Sequence, residues 1–342
     1  MRILVIRLSA IGDIVLTAAT LRCLRQRFGE ALELHFLVKK QFKSAAALLS
    51  EVDVLHEYDA QRRGECLRTL QSIAFDAVVD LQNSWRTLLL RWRLRARRVL
   101  VVDKLNVRKW LYVRFKMQVM PDRHVALRYI DAVRLLGVKY DGLGLTQVLR
   151  SDAVATLPAD IGERVAIAIG AAHATKRIPT DTIAAVIALL AAAGRGVVLL
   201  GAGAVDDERA AEILRLSSGA AIAPISLVGR LTLAQSVYVL QSAAATLAGD
   251  TGLMHIAAAL ARPLCLVWGS TTPQLGMSAF YPDGQAARLL ASIDAPLPCR
   301  PCSKLGKTQC PKGHFHCMRL HAPANIADTL LRLIDKNTQN PS

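Results

Sequence analysis

The stretch that decides the fold is Arg2-Ile3-Leu4-Val5-Ile6-Arg7-Leu8-Ser9-Ala10-Ile11-Gly12-Asp13. Its first seven residues predict a buried strand, and an apolar helical pattern follows from Ile14 to about Phe28. A strand that enters a helix through a short Ser/Gly loop places a helix N-terminus at the carboxyl edge of a parallel sheet, where open α/β sheets bind ligands. Asp13 lies at this edge. Its residue type allows two interpretations, a helix-capping group or a functional carboxylate.

Outward from this unit the alternation of strands and helices continues. Strand patterns cover residues 32–38 and 75–81 with helical patterns between them, which predicts a parallel sheet with helices on both faces. Periodicity is lost and Gly and Pro accumulate over 138–162, which indicates a domain boundary. A chain of 342 residues can form two domains, each with its own core.

The second half repeats the α/β pattern, and its strands end in loops that contain Gly, Ser, Thr or Lys. These loops are residues 170–177, 201–207, 249–252 and 269–272. Several such loops together indicate a phosphate-binding rim and a nucleotide ligand. The P-loop and GxGxxG fingerprints are both absent from the sequence.

Composition indicates a globular protein with an anionic partner. Hydrophobic residues make up 52% and charged residues 20%, and the formal net charge is +16. We expect neither a signal peptide nor a membrane span, because the longest apolar run is about 12 residues and a span needs about 20. We therefore expect a cytoplasmic protein that can touch a membrane from that side.

Residues 86–116 are strongly basic, with eleven Lys or Arg residues and one acid, Asp103. Aromatic residues are interleaved with them: Trp85, Trp92, Trp110, Tyr112 and Phe115. Three interpretations stay open at this point. The segment is a set of solvated helix faces, a surface for an anionic acceptor or membrane interface, or a nucleic-acid surface, although no nucleic-acid motif accompanies it.

Three motifs together resemble glycosyltransferase family 9, the ADP-heptose:lipopolysaccharide heptosyltransferases. They are Arg7-Leu8-Ser9-Ala10-Ile11-Gly12-Asp13, Thr175-Lys176-Arg177, and Gly249-Asp250-Thr251-Gly252-Leu253-Met254-His255-Ile256-Ala257-Ala258-Ala259-Leu260. The third motif is the most specific, and the resemblance covers nearly the whole chain in the same order.

The resemblance implies an α/β fold of GT-B architecture, with two Rossmann-like, doubly wound parallel-sheet domains facing a cleft. Residues 1–157 would bind the acceptor, residues 158–322 would bind the nucleotide sugar, and residues 323–342 would form a helix that crosses back to the N-terminal domain. The implied activity is inverting, metal-independent transfer of heptose from ADP-heptose to a lipopolysaccharide core acceptor. The alternatives are a related enzyme with another nucleotide sugar and a non-catalytic protein that binds a sugar nucleotide or an anionic glycolipid.

The resemblance also implies roles for individual residues. Asp13 would be the catalytic base. The acceptor side would involve Arg7, Ser9, Ala10 and Gly12. The donor side would involve Thr175, Lys176, Asp206 or Asp207, Leu231, Asp250, Thr251, Gly252 and His255. For His255, a buried core role is the alternative. The sequence departs from some members at Arg7, Ala10 and Ile178, which stand in place of a Lys, a Ser and an aromatic residue.

The resemblance requires no cofactor beyond ADP-heptose as donor substrate. We expect an acidic lipopolysaccharide-type acceptor at the cytoplasmic face of the inner membrane, no nucleic-acid partner, and a monomer.

Four cysteines cluster near the C-terminus as Cys299, Cys302, Cys310 and Cys317. Their closeness suits a structural zinc site, but the spacing is not that of a common zinc finger. Reduced, metal-free thiols and disulfides are the other interpretations. We expect no catalytic role for these thiols.

Overall fold

The computed structural model describes residues 1–94, 96–146, 149 and 159–339, and it divides the chain into two compact α/β units. The first unit comprises Met1–Leu105 and Arg123–Arg150, and the second comprises Asn106–Asp122 and Ser151–Ser342.

The first unit is built on a parallel sheet in which β1 lies at the centre. Its strands are β1 (Arg2–Ile6), β2 (Glu33–Lys39), β3 (Val54–Tyr58), β4 (Ala77–Asp80) and β5 (Arg98–Val101), in the order β3-β2-β1-β4-β5. Its helices are α1 (Ile11–Val15), α2 (Ala18–Phe28), α3 (Lys43–Ala47), α4 (Arg63–Gln71), α5 (Trp85–Arg93) and, after the second unit's α6 (Asn106–Phe115), α7 (Val125–Val133). Residues 3–6 of β1 are fully buried, as expected for a strand covered on both faces.

The helix predicted from Ile14 to Phe28 is in fact two helices. It begins earlier, at Ile11 after the N-cap residue Ala10, and it is interrupted between α1 and α2. The interruption lies at Thr17, whose backbone N–H and hydroxyl both donate to the carbonyl oxygen of Ile14, at 3.0 and 2.6 Å. A threonine that bonds back to the main chain competes with the helical pattern. The earlier start places Asp13 inside the first helical turn.

The second unit has a longer parallel sheet. Its strands are β6 (Val165–Ala168), β7 (Val197–Leu200), β8 (Ile225–Ser226), β9 (Ala245–Ala248), β10 (Leu264–Val267) and β11 (Leu290–Ile293), in the order β11-β10-β9-β6-β7-β8. Its helices are α6 (Asn106–Phe115), α8 (Thr180–Ala192), α9 (Ala204–Leu216), α10 (Leu233–Ser242), α11 (Gly252–Ala259), α12 (Ala286–Leu289), α13 (His316–Arg319) and α14 (Pro323–Gln339). None of the helices in the described part of the chain is long and apolar enough to cross a membrane.

Both sheets have the strand order of a Rossmann-like fold. If strands are counted within each unit, the first sheet runs 3-2-1-4-5 and the second runs 3-2-1-4-5-6. The order reverses between β1 and β4 in the first sheet and between β6 and β9 in the second. Ligands of such sheets bind where the order reverses, at the carboxyl ends of the strands. The loops after β1, β6 and β9 are therefore the places to look for a site.

One segment of the predicted first domain lies in the second unit. Residues 106–122 belong to the second unit, because the Tyr112 hydroxyl hydrogen-bonds the Thr272 hydroxyl at 2.9 Å and the Lys116 ammonium donates to the Pro301 carbonyl at 2.6 Å. The predicted boundary at 157/158 lies outside the described residues.

The last helix also belongs to the second unit, although it was predicted to cross to the first domain. The apolar face of α14 covers β9 and β10, and its side chains Ile326, Leu330 and Leu333 are part of the second core. An amphipathic helix with this apolar face gains most by burying it against a sheet.

Candidate active site

The Asp13 carboxylate is held by three groups of the first unit. The Arg7 guanidinium lies 2.6 Å from Oδ1, and the Tyr129 hydroxyl donates to the same oxygen at 3.2 Å. The backbone N–H of Ala10 donates to Oδ2 at 3.4 Å, which is the helix-capping contact that the sequence suggested. The side chain remains 25% exposed. Asp13 therefore caps α1 and also presents an oriented, partly open carboxylate.

Arg7 is buried next to Asp13, and several hydrogen bonds hold its guanidinium in place. Its guanidinium also donates to the carbonyl oxygens of Ser9 at 2.9 Å and Leu81 at 2.6 Å. Burial acts to lower the pKa of Arg7, but the neighbouring Asp13 and Tyr129 outweigh it and the pKa is raised. Arg7 is thus a cation that supports Asp13, and its predicted acceptor-binding role stays a prediction.

Tyr129 is the neighbour of Asp13 that the sequence did not reveal. Burial raises its pKa, so that it remains a neutral phenol able to donate to Asp13. The only signal was an amphipathic helix pattern over residues 124–137, in which a buried Tyr is indistinguishable from core. Ser9, Ala10 and Gly12, the other residues predicted for the acceptor side, lie close to Asp13 in the chain, with Ala10 exposed and the other two partly exposed.

The end of β4 stabilises the loop after β1. Asp80 is fully buried, and its Oδ1 accepts the backbone N–H groups of Gln82 and Asn83 at 3.0 and 2.7 Å. Its Oδ2 accepts Arg91 of the basic segment at 2.9 Å, and Gln82 Oε1 accepts the N–H of Leu8 at 3.1 Å. Arg91 therefore has a structural role, an ion pair with the buried Asp80, that none of the three interpretations of the basic segment included.

In the second unit, the loop after β6 rests on the ends of β9 and β10. A Cβ at Gly249 would collide with the carbonyl oxygen of Lys176, and a Cβ at Gly269 would collide with that of Thr175. Ser270 N–H donates to the same Thr175 carbonyl at 3.1 Å. The two glycines are needed because main chain lies directly on main chain at these points.

Lys176 and Asp250 form the polar centre of this loop. The ammonium of Lys176 lies 2.7 Å from Oδ2 of Asp250, and the Thr271 hydroxyl donates to the same oxygen at 2.8 Å. Both partners of the ion pair are largely buried. This ion pair explains why an acidic residue is present beside a proposed anion site, because Asp250 orients the Lys176 ammonium.

Thr175, in contrast, has its hydroxyl fully engaged within the protein. It donates to the carbonyl oxygen of Lys307 at 3.1 Å and accepts from the Lys307 N–H and the Ser270 hydroxyl, each at 2.8 Å. The side chain is buried. The structure thus gives Thr175 a structural role where direct donor contact was predicted.

Arg300 ties the cysteine-rich loop to the same centre and was not found from the sequence. Its guanidinium is buried and donates to the carbonyl oxygens of Gly269 at 2.5 Å and Thr271 at 2.6 Å, and it pairs with Asp294. Arg300 therefore holds the loop after β10 in place. This also positions the Thr271 hydroxyl, which donates to Asp250.

The remaining donor candidates lie at neighbouring strand ends. Asp206 and Asp207 stand in the first turn of α9, which begins four residues earlier than predicted. Asp206 is buried and accepts the Ala202 N–H at 3.0 Å, whereas Asp207 is exposed. Leu231 is partly exposed, just before α10.

Thr251 and Gly252 begin α11 as predicted. The Thr251 hydroxyl accepts the Met254 N–H at 3.4 Å and caps the helix. His255 is 1% exposed, inside the packed helix, so the structure favours its core alternative.

The cysteine cluster is not arranged as a zinc site. Across residues 1–94, 96–146, 149 and 159–339, no group of three or more His, Cys, Asp or Glu side chains could hold a metal ion. Cys299, Cys302, Cys310 and Cys317 are all free thiols. Burial raises the pKa of Cys317 to about 11 and also raises that of Cys302. Within the described residues, the four cysteines form neither a disulfide nor a group arranged to hold a metal ion.

The fold and this arrangement define a class of protein. Two Rossmann-like domains, the second with a lysine and a helix N-terminus at its switch point, are typical of GT-B glycosyltransferases. The structure of ADP-heptose lps heptosyltransferase II from Escherichia coli is 21% identical, matches 99% of this chain and 100% of that one, and has a TM-score of 0.71. The structure of E. coli heptosyltransferase WaaC with ADP-2-deoxy-2-fluoro heptose is 22% identical, matches 98% and 100%, and has a TM-score of 0.69. These likenesses establish the shared fold.

The family follows from the sequence match. Residues 63–305 match the model of glycosyltransferase family 9 (heptosyltransferase), and the chain belongs to this family. Lipopolysaccharide heptosyltransferase 1 of E. coli strain K12 is 26% identical over 296 residues, which cover 80% of this chain and 90% of that protein. The chain is therefore a glycosyltransferase of the heptosyltransferase family.

Proposed function

We propose that this enzyme transfers heptose from ADP-heptose to a lipopolysaccharide core acceptor, with inversion at the anomeric carbon and without a metal ion. The observation that carries the proposal is the Asp13 carboxylate, oriented by Arg7 and Tyr129 and still partly open, in a chain of the heptosyltransferase family. Two relatives support the choice of acceptor and donor: one is a lipopolysaccharide heptosyltransferase, and the structure of another contains ADP-2-deoxy-2-fluoro heptose.

In the proposed reaction, Asp13 is the general base. An acceptor hydroxyl attacks the anomeric carbon of the heptose, its proton passes to Asp13, and the bond from that carbon to the ADP oxygen breaks with inversion. Arg7, 2.6 Å from Oδ1 of Asp13, would hold the carboxylate in the position of the base. The Tyr129 hydroxyl donates to Oδ1 of Asp13 and so orients the carboxylate.

The leaving ADP carries the charge that the second unit would stabilise. Lys176 offers a mobile point charge to the diphosphate, and the N-terminus of α11 offers backbone N–H groups. Positive charge and N–H donors at the diphosphate can replace a metal ion in stabilising the leaving group. Asp250 keeps Lys176 aimed in the absence of donor.

The acceptor implies where the enzyme works. A lipopolysaccharide precursor is an anionic lipid, so the proposal places this enzyme at the cytoplasmic face of the inner membrane. A net charge of +16 supports attraction to such a surface. We also propose that a monomer suffices, since each proposed role is assigned to residues of one chain.

The test is a transfer assay with labelled ADP-heptose and a truncated lipopolysaccharide acceptor, read by mass spectrometry. Asp13→Asn keeps the shape but removes the base, and we expect kcat to fall by about 10²–10⁴. ADP affinity, measured by calorimetry, should stay within about twofold, because Asp13 is assigned to the base and not to the nucleotide.

Asp131→Asn is the matched control, since Asp131 is an exposed acid of the same unit that pairs with Arg123. Its transfer rate should equal that of the natural chain. Near-normal turnover of Asp13→Asn would overturn the base assignment. Loss of transfer in the natural chain after EDTA treatment, or greater activity with GDP- or UDP-sugars, would overturn the metal-free mechanism or the donor.

A further inference from the structure

Helix α5 carries an exposed apolar stripe. Trp85, Leu88, Leu89 and Trp92 follow one another at i, i+3, i+4 and i+7, which places them on one face of the helix. Their exposed fractions are 67%, 51%, 51% and 77%. Single exposed apolar residues are ordinary, but a contiguous row of two tryptophans and two leucines marks an interaction surface.

The opposite face of α5 shows that the stripe is turned outward on a well-anchored helix. Thr87 and Leu90 are buried, and Leu90 joins the core cluster of the first sheet. Ser84 and Thr87 form a reciprocal cap, with the Ser84 N–H donating to the Thr87 hydroxyl at 2.8 Å. The helix is thus positioned by its inner side and by its cap, and the outer stripe is not needed to hold it.

The stripe is bordered by positive charge. Residues 86–102 contain six arginines and neither Asp nor Glu. Arg91 is engaged by the buried Asp80, but Arg86 and Arg93 on the same helix are exposed, and the Arg86 guanidinium lies 5.0 Å from the centre of the Trp85 ring. Apolar residues on one face, tryptophans among them, and arginines beside them are typical of a helix that lies in a membrane interface.

We propose that the outer face of α5 docks this enzyme on an anionic phospholipid bilayer, with the four apolar side chains entering the headgroup region and the arginines contacting lipid phosphates. The inference deepens the proposed function, because it says which surface brings the enzyme to a lipid acceptor. A second copy of the chain fits this face poorly, since a two-fold contact would set Arg86 and Arg93 of each copy against those of the other.

Vesicle co-sedimentation of the full chain, without donor or acceptor, tests the docking. The vesicles contain phosphatidylglycerol and phosphatidylcholine in about equal parts, or phosphatidylcholine alone. We expect binding to the anionic vesicles and a blue shift in tryptophan emission. Leu88→Gln/Trp92→Gln should weaken binding at least about tenfold, and Arg86→Gln/Arg93→Gln should weaken it most at low salt.

Two matched controls separate this face from general stickiness and charge. Leu135→Gln removes an exposed leucine elsewhere in the first unit, and Arg62→Gln/Arg63→Gln removes two exposed arginines outside α5. Both should bind as the natural chain does. Equal binding by the α5 variants, or a natural chain that is a dimer in sedimentation and becomes monomeric with Leu88→Gln/Trp92→Gln, would overturn the proposal.

A second readout keeps this inference apart from the proposed function. On a water-soluble acceptor oligosaccharide, Leu88→Gln/Trp92→Gln should transfer sugar at the rate of the natural chain, while transfer to acceptor embedded in vesicles falls. An equal loss on both acceptors would show a damaged enzyme and contradict docking. If instead the proposed function is wrong, the natural chain will bind the vesicles but will not transfer heptose to either acceptor.

Discussion

At the scale of single residues, buried partners decide what each polar group of the site can do. Asp13 is partly open and held by Arg7 and Tyr129, so its carboxylate is oriented yet accessible. Thr175 is closed, because its hydroxyl already has three partners within the second unit. Residue type alone does not distinguish these situations, since both residues follow soon after a strand of a parallel sheet.

Thr175→Val should therefore lower stability directly. The change leaves the Lys307 N–H and the Ser270 hydroxyl without their acceptor, which costs about 1–3 kcal/mol in a buried setting. The measurement is the free energy of unfolding from urea titration. Thr175→Ser, which keeps the hydroxyl, is the control and should lose less than half as much. A Val variant as stable as the natural chain that binds ADP weakly would instead favour the direct donor contact.

The sequence placed Asp13 after the carboxyl end of the first strand, where the structure also has it, because strand and helix are local patterns. It did not locate Tyr129, which lies 116 residues further on and meets Asp13 only through the fold. Arg300 was missed for the same reason. Its partners are backbone carbonyls near Gly269, and no sequence pattern predicts which arginine will reach them.

At the scale of elements, the strand order explains where the loops of the site gather. β6 and β9 are neighbours in the sheet, so the loops after them meet although 80 residues separate them. The repeating strand–helix pattern was enough to predict parallel sheets. Helix limits depended on side-chain bonds such as those of Thr17, and there the prediction was wrong by several residues.

Gly249→Ala should disturb the loop more than the size of a methyl group suggests. The new Cβ would meet the Lys176 carbonyl oxygen, and a backbone atom cannot move aside as a flexible side chain can. We expect a loss of about 1–3 kcal/mol in stability and weaker ADP binding. Gly219→Ala is the control, because a Cβ there meets nothing within 4 Å. Equal thermal midpoints for the two variants would contradict the close packing.

His35 and His56 on β2 and β3 make the first sheet sensitive to acid. Their rings stack with centroids 5.2 Å apart, and burial, followed by the charge of His35, lowers the pKa of His56 to about 4. Burial likewise lowers the pKa of His35, against the opposing effect of Glu33. Since the unfolded chain binds these protons from about pH 6.5 downward, stability should be complete above that pH and fall towards pH 4.

For His56 the loss amounts to about 3 kcal/mol at most. His56→Phe keeps a stacked ring without the titrating group, so unfolding in urea should vary less between pH 7 and pH 5. His316→Gln, at an exposed histidine, should leave the dependence unchanged. An unaltered pH slope in His56→Phe would contradict the assignment.

At the scale of the whole molecule, the two units are not two consecutive pieces of sequence. Residues 106–122 leave the first unit and pack in the second before the chain returns, and only side chains such as Tyr112 reveal this. The sequence indicated two domains from its length and repeated pattern. It could not show the excursion, because a helix between two segments of one domain has the same pattern wherever it packs.

Hydrogen exchange over the full chain can show where ADP acts. If Lys176 and the N-terminus of α11 hold the diphosphate, ADP should slow exchange most in peptides that span 170–177 and 249–255. At ADP about 100 times its Kd, the slowing can reach about a hundredfold, since bound ligand stabilises by about 2.7 kcal/mol. AMP at the same concentration is the matched ligand, because it lacks the second phosphate, and its protection should be weaker. Two outcomes would contradict the role proposed for Lys176: ADP protects neither peptide, or AMP protects both peptides as well as ADP does. In either case the diphosphate would be held by other residues.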